Sequence, residues 1–144
     1  MVKTTEISVS ELVKPAKTIS GDMEIQKALH LMKTENIDFL SVVDDKQNLI
    51  GAVSEANLIK LVKQESPSLI GDPVWFDSVE QETGKKAVAT IMTTGITTIA
   101  PHDNIATALR VMNATGYKLL HVVDVTGKLL GIIRMRDIAE KLLI

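Results

Sequence analysis

Gly51-Ala52-Val53-Ser54-Glu55-Ala56-Asn57 and Gly131-Ile132-Ile133-Arg134-Met135-Arg136-Asp137 are one seven-residue phrase written twice, 80 residues apart. Each copy has a glycine, two apolar residues, a polar residue, two spacers, and an acid or its amide. Working outward, the same offset aligns Val42-Val43-Asp44 with Val122-Val123-Asp124, and Leu49 with Leu129. It aligns Ile25, Ala28, Leu29 and Met32 with Ile105, Ala108, Leu109 and Met112, and Thr18-Ile19 with Thr98-Ile99. Matched apolar positions at matched spacing mean two copies of one supersecondary unit. Two copies are too few for a solenoid but suit a pseudo-symmetric pair that buries a shared face. A site is then expected at the seam.

The pattern within each copy gives its elements. Lys17–Ser20 and Thr97–Ala100 read as short extended pieces, followed by turn chemistry at Gly21-Asp22 and Pro101-His102-Asp103. The i, i+3, i+4, i+7 stripes at 25, 28, 29, 32 and at 105, 108, 109, 112 predict amphipathic helices, with Asp22 and Asp103 as caps or first-turn acids. Phe39–Asp44 with Leu49–Val53, and Leu119–Asp124 with Leu129–Ile133, read as hairpins across a polar turn. Helices Glu55–Lys63 and Met135–Leu143 close the copies. The fold class is α+β, each copy running strand-helix-strand-strand-helix. Before each copy, Ser8–Lys14 and Val88–Thr94 form a further matched pair, read as short helices, the first stopped before Pro15. The chain divides into repeat 1 at 8–63, a linker at 64–87, and repeat 2 at 88–144. Breakers at Ser66-Pro67, Gly71-Asp72-Pro73 and Gly84-Lys85-Lys86 mark the linker, and Trp75-Phe76 would staple it to the body, the alternative being a lid or a partner contact.

Composition narrows the class. The 144 residues are 45% apolar and 24% charged, which fits a folded domain, and aromatics are only 3%, so Leu, Ile, Val, Ala and Met build the core. Each repeat alone is at the size where one core is marginal, so the two should support each other. Net charge is −2 with no basic block, which gives no support for a nucleic-acid partner. The lack of cysteine removes disulfides, thiolate metal sites and cysteine nucleophiles, and it fits a reducing compartment. No apolar run approaches the ~18 residues of a bilayer span, and the N-terminus has no apolar leader. The expectation is a soluble, cytoplasmic protein without a membrane partner.

In the repeated phrase, Ser54 and Arg134 fall at the strand-to-helix junction, and Asn57 and Asp137 in the helix's first turn. A helix N-terminus presents unpaired N–H groups and a positive dipole end to an anion. A carboxylate beside it accepts hydrogen bonds from a diol. Together they suit a nucleoside phosphate. An apolar slot for the base would come from Ile19, Phe39, Leu40 and Val53, or from Ile99, Leu119, Leu120 and Ile133.

The duplication, the element order and the Gly-h-h-(Ser/Thr)-x-x-(Asp/Asn) signature resemble the CBS domain pair, or Bateman module, over 8–63 and 88–144. The resemblance implies tandem CBS repeats packed as a pseudo-two-fold pair. It also implies two clefts between the repeats that bind adenosine compounds such as AMP, ADP, ATP or S-adenosylmethionine. Carried over, Asn57 and Asp137 take the ribose position, Ser54 and Arg134 the hydroxyl position near the phosphates, and Thr18 and Thr98 contact base or sugar. His121 stands where many family members have proline, and with Lys118 it would border the second cleft. Its alternative is a partly buried strand histidine.

This chain departs from the signature once in each copy. Asn57 replaces the acid and accepts hydrogen bonds more weakly. Arg134 replaces the small hydroxyl, is disfavoured at a helix start by about 0.3–1 kcal/mol, and is easier to understand if it meets phosphate. The second site is therefore the better candidate. The alternatives are a surface pair of Arg134 with Asp137 or Glu140, and plain helix capping by Ser54 and Asn57.

The leading function is a non-catalytic regulatory module with no cofactor, using an adenine nucleotide as its regulatory ligand. Its output would pass through a homodimer face or a separate effector protein. The alternative is a dimerisation or scaffolding module with vestigial clefts. Paired carboxylates, a nucleophile elbow, a P-loop and metal-ligand spacing are all missing, so an enzyme is not expected.

Overall fold

The structure, a computed structural model, describes residues 2–65 and 81–144. Six strands and four helices appear in the predicted order: β1 (Thr18–Ser20), α1 (Ile25–Glu35), β2 (Phe39–Val43), β3 (Leu49–Ser54), α2 (Glu55–Glu65), β4 (Thr98–Ile99), α3 (Ile105–Thr115), β5 (Leu119–Val123), β6 (Leu129–Arg134) and α4 (Met135–Leu143). They form two three-stranded sheets, β1-β2-β3 and β4-β5-β6. The first strand of each sheet runs parallel to the central one, with Thr18 opposite Ser41 and Thr98 opposite His121. The right-hand pair of the second sheet is antiparallel, with Leu119 opposite Arg134.

The chain divides into two compact units that are not the two sequence repeats. The C-terminal unit holds Ile96–Ile144, Lys46–Leu49 and the N-terminal segment up to Ala16. The N-terminal unit holds Lys17–Asp45 and the described part of Ile50–Gly95. Each unit thus contains the segment that precedes the other repeat. In the C-terminal unit, Val9 N–H donates to Asp103 O at 2.7 Å and Ile105 N–H to Ile7 O at 2.9 Å. In the N-terminal unit, Val88 N–H donates to Met23 O at 2.8 Å and Ile25 N–H to Lys86 O at 2.9 Å.

Each unit has its own core. Ile19, Ile25, Ala28, Met32, Leu40, Val42, Val53 and Val88 pack together in one. Ile99, Ile105, Ala108, Met112, Leu120, Val122, Ile133 and Ile138, with Ile7 and Val9, pack in the other. Each large apolar side chain buried here contributes about 1.5–3 kcal/mol. Val9 and Val88 are fully buried, so the borrowed segment completes each core.

Three expectations need correction. Ser8–Lys14 and Val88–Thr94 are not helices but single 3-10 turns, Val9–Glu11 and Val88–Thr90, because their ends are drawn out to pair with strands. Asp22 and Asp103 do not cap α1 and α3. The cap positions are Glu24, without a side-chain bond, and Asn104, whose Oδ1 accepts from Thr107 N–H at 2.9 Å. Asp103 instead accepts from Ala100 N–H and shapes the turn. Leu29, placed on the core stripe, is 50% exposed, whereas its counterpart Leu109 packs against the core. The Trp75-Phe76 staple lies outside the described residues.

Candidate functional site

Both repeated phrases open on a glycine, and the structure shows why. Lys14 and Ile132 exchange N–H···O bonds at 2.8 Å, while Thr93 and Ala52 do so at 2.9 and 3.0 Å. The borrowed segment therefore lies flat against the last strand of each sheet in the same register. A Cβ on Gly51 would stand 2.6 Å from Met92 Sδ and 2.9 Å from Thr93 O. A Cβ on Gly131 would strike the Lys14 carbonyl oxygen, and Gly131 has φ +151°. The glycines make room for backbone, and only glycine takes the second conformation readily.

After that shared register the junctions diverge. In the N-terminal unit, Asn57 sits in the first turn of α2 and is 9% exposed. Its Oδ1 accepts from Ser54 N–H at 2.8 Å and from Ser54 Oγ–H at 3.0 Å. Its Nδ2 donates to Ile91 O at 2.8 Å and Thr93 Oγ1 at 3.0 Å. An amide has two donor hydrogens and two acceptor lone pairs, and all are engaged. Asn57 is a clip that fastens the borrowed segment to the helix start. Its polar atoms are engaged by the protein's own groups, Ser54 among them.

In the C-terminal unit, α4 starts at Met135, whose N–H donates to Lys118 O at 2.8 Å. That bond and the Leu119–Arg134 pairing bring Lys118, Leu119 and Arg134 to one end of the sheet. Arg134 occupies the N-cap without a side-chain cap bond. Asp137 lies in the first turn, half-buried, and its carboxylate has no hydrogen bond or ion pair among the described residues. A negative charge there is favoured by the helix dipole.

The apolar slot does not form from the side chains named for it. Ile19, Leu40, Val53, Ile99, Leu120 and Ile133 point to the helix-covered side and belong to the two cores. Phe39 and Leu119 alone of that set remain half-buried. Thr18 and Thr98 are exposed, each one row along from the junction end of its sheet. Thr98 and Ile99 also border a cavity of about 350 Å³ that opens beside Pro101, His102, Val123 and Asp124, and that does not include Arg134 or Asp137. His121 is 5% exposed, and burial holds its imidazole below the ordinary value. Asp124 accepts from Thr126 Oγ–H and N–H and from Lys128 N–H, which hold its carboxyl below the usual range. Among the described residues, no acid or histidine cluster could hold a metal, and no helix is long and apolar enough to cross a membrane.

Two α+β units, each with a glycine-led strand-to-helix junction, define a duplicated module. The CBS domain family model matches residues 9–64 and 88–144, so the chain belongs to that family and carries its non-catalytic domain twice. It is 28% identical over 141 residues to the chloroplastic CBS domain-containing protein CBSX2 of Arabidopsis thaliana, covering 90% of this chain and 57% of that protein. It is 26% identical over 130 residues to inosine-5'-monophosphate dehydrogenase of Methanocaldococcus jannaschii, covering 90% of this chain but 22% of that enzyme. The chain thus spans little more than half of one relative and about a fifth of the other. The crystal structure of CBSX2 in complex with AMP matches with a TM-score of 0.75 at 26% identity, covering 95% of this chain and 96% of that one.

Proposed function

We propose that this module binds an adenosine-containing ligand (AMP, ADP, ATP or S-adenosylmethionine) and reports its presence to another protein surface. The observation that carries the reading is the unengaged, half-buried Asp137 carboxylate in the first turn of α4, with Arg134 at the preceding cap. A carboxylate there accepts from the two hydroxyls of a ribose, and the guanidinium and helix start favour phosphate. Lys118, Leu119 and Thr98 are the neighbours best placed to meet sugar or base. The CBSX2 relative, crystallised with AMP, supports the same ligand class.

Ligand occupancy changes output only through different affinity for two arrangements of the protein. The output surface is a homodimer face or a separate effector, and a cysteine-free chain suits a reducing, cytoplasmic setting. A second reading, a scaffolding module, draws on the fully engaged Asn57, which leaves one junction without a free acceptor. Isothermal titration with AMP, ADP, ATP and S-adenosylmethionine separates the two. Saturable heat with at least one of them is expected, and Asp137→Ala should weaken it tenfold to a hundredfold, since a charged hydrogen bond contributes about 1.5–3 kcal/mol. No heat with any of them at millimolar concentration favours the scaffold.

A further inference from the structure

β4 and β5 run parallel, and beyond their carboxyl ends the chain leaves in two directions. From β4 it turns through residues 100–103 towards α3, and from β5 through residues 124–128 into β6. Exits that diverge in this way leave a crevice beyond the ends of parallel strands. The cavity of about 350 Å³ described above is that crevice, and its volume is that of a small-ligand site. It lies at the opposite end of β5 from Lys118, Leu119 and Arg134, apart from the start of α4.

Its wall combines charge with apolar surface. Asp103 uses one carboxylate oxygen to accept from Ala100 N–H at 3.1 Å, and Asp124 uses one for all three of its bonds. Each keeps a second oxygen without a hydrogen bond among the described residues. No lysine or arginine among the described residues lines the cavity, so its own wall offers these carboxylates no cation. Pro101 and Val123 are half-buried beside them, and Val125 is 96% exposed.

Repeat 1 makes the same turn without these features. Met23 N–H donates to Ser20 O at 3.2 Å, as Asp103 N–H does to Ala100 O. Yet Met23, the equivalent of Asp103, packs against the core, and Asp45 stands where repeat 2 has Val125. Repeat 2 thus puts an acid in place of a packed side chain and an apolar residue in place of an exposed acid. Turn formation requires neither. The spread of the groups then selects the ligand. His102, Asp103 and Asp124 do not come together as ligands of one metal ion. A cation that meets both carboxylates must be extended, with its charges spaced along a chain whose methylenes lie on apolar surface.

We propose that this crevice binds an aliphatic diamine or polyamine, with an ammonium at each carboxylate and the methylene chain along Pro101, Val123 and Val125. The site does not depend on the adenosine reading. Titration calorimetry of the full chain at low salt with diaminobutane and spermidine tests it, with butylamine and butanediol as probes that lack one or both charges. Saturable binding of diaminobutane is expected, at least tenfold tighter than butylamine, with no heat from the diol. Asp103→Asn and Asp124→Asn keep the oxygen that shapes each turn and remove the charge, and each should weaken the diamine about tenfold or more. Val125→Ser should weaken it about threefold, and Asp45→Asn less than twofold. Amide NMR shifts induced by the diamine should centre on residues 98–103 and 123–125. Should a variant unfold, the probe series and the shift map on the native chain decide. No saturable heat with either amine, equal affinity for diaminobutane and butylamine, full affinity in both Asp→Asn variants, or shifts centred elsewhere would overturn the proposal.

Discussion

The junction at Ser54–Asn57 and the junction at Arg134–Asp137 share strand, glycine, helix start and borrowed segment. They differ in where the polar atoms of one side chain go. Asn57 turns four hydrogen bonds inward and ties residues 34 and 36 positions away in sequence to the helix. Asp137 makes none among the described residues and holds a charge at the mouth of the helix. A duplicated unit can thus keep its scaffold constant and use the polar atoms of one position differently in each copy.

The largest test of that contrast concerns the scaffold itself. Gly131→Ala should cost about 3 kcal/mol or more in urea unfolding, because its Cβ meets backbone and its φ is open to glycine alone. Gly51→Ala should cost less: its backbone contact, Thr93 O at 2.9 Å, is less severe than that at Gly131, its φ is not positive, and the Met92 thioether can turn away. Equal costs would mean that the two segments grip equally. Next, Asn57→Ala should cost about 1–3 kcal/mol by stranding the partly buried groups that it joins, whereas Asp137→Ala should cost under about 0.5 kcal/mol. The reverse order would erase the contrast between an engaged side chain at one junction and an unengaged one at the other.

A smaller difference lies at the other helix pair. Asn104→Ala at the start of α3 should lose about 1 kcal/mol, while Glu24→Ser at the start of α1, where no side chain caps, should gain a few tenths. Thermal unfolding of the two variants checks both signs. The smallest effect is a pH dependence. His121 is held below its ordinary value of 6.5 by burial, so the unfolded chain takes up its proton first. Its contribution is complete above pH 6.5 and declines as the pH falls from there towards the depressed folded value. Replacing it with Gln should flatten the urea midpoint between pH 7 and 5.5, by about 1 kcal/mol or less. Asp124 does not interfere, because its stabilising effect fades only below pH 3.8. Ser41, the equivalent of His121, does not titrate, so this dependence belongs to the C-terminal unit alone.

The repeat, the element order and both second helices were legible because their signals are local: hydrophobic period, turn residues and a matched offset. The exchange of segments was not, because Ser8–Lys14 carries no mark that its partners are Asp103 and Ile132 rather than its own repeat. For the same reason the bonds of Asn57 to Ile91 and Thr93 were not legible, since these partners lie 34 and 36 positions along the chain. The sequence placed Ile19, Leu40 and Val53 at adjoining strand ends, and in the structure they share one face. It did not show that helices cover that face, which removes those side chains from any slot. Asp137 and Arg134 were legible because the reading needed only their place at a helix start.

The exchanged segments have a mechanical consequence. A pull on residues 8–14 is delivered to the far half of the chain, at the edge of β6 and within two residues of Arg134. Tension applied to that segment would be felt first beside the Arg134–Asp137 junction, which would yield before the N-terminal unit carried any load.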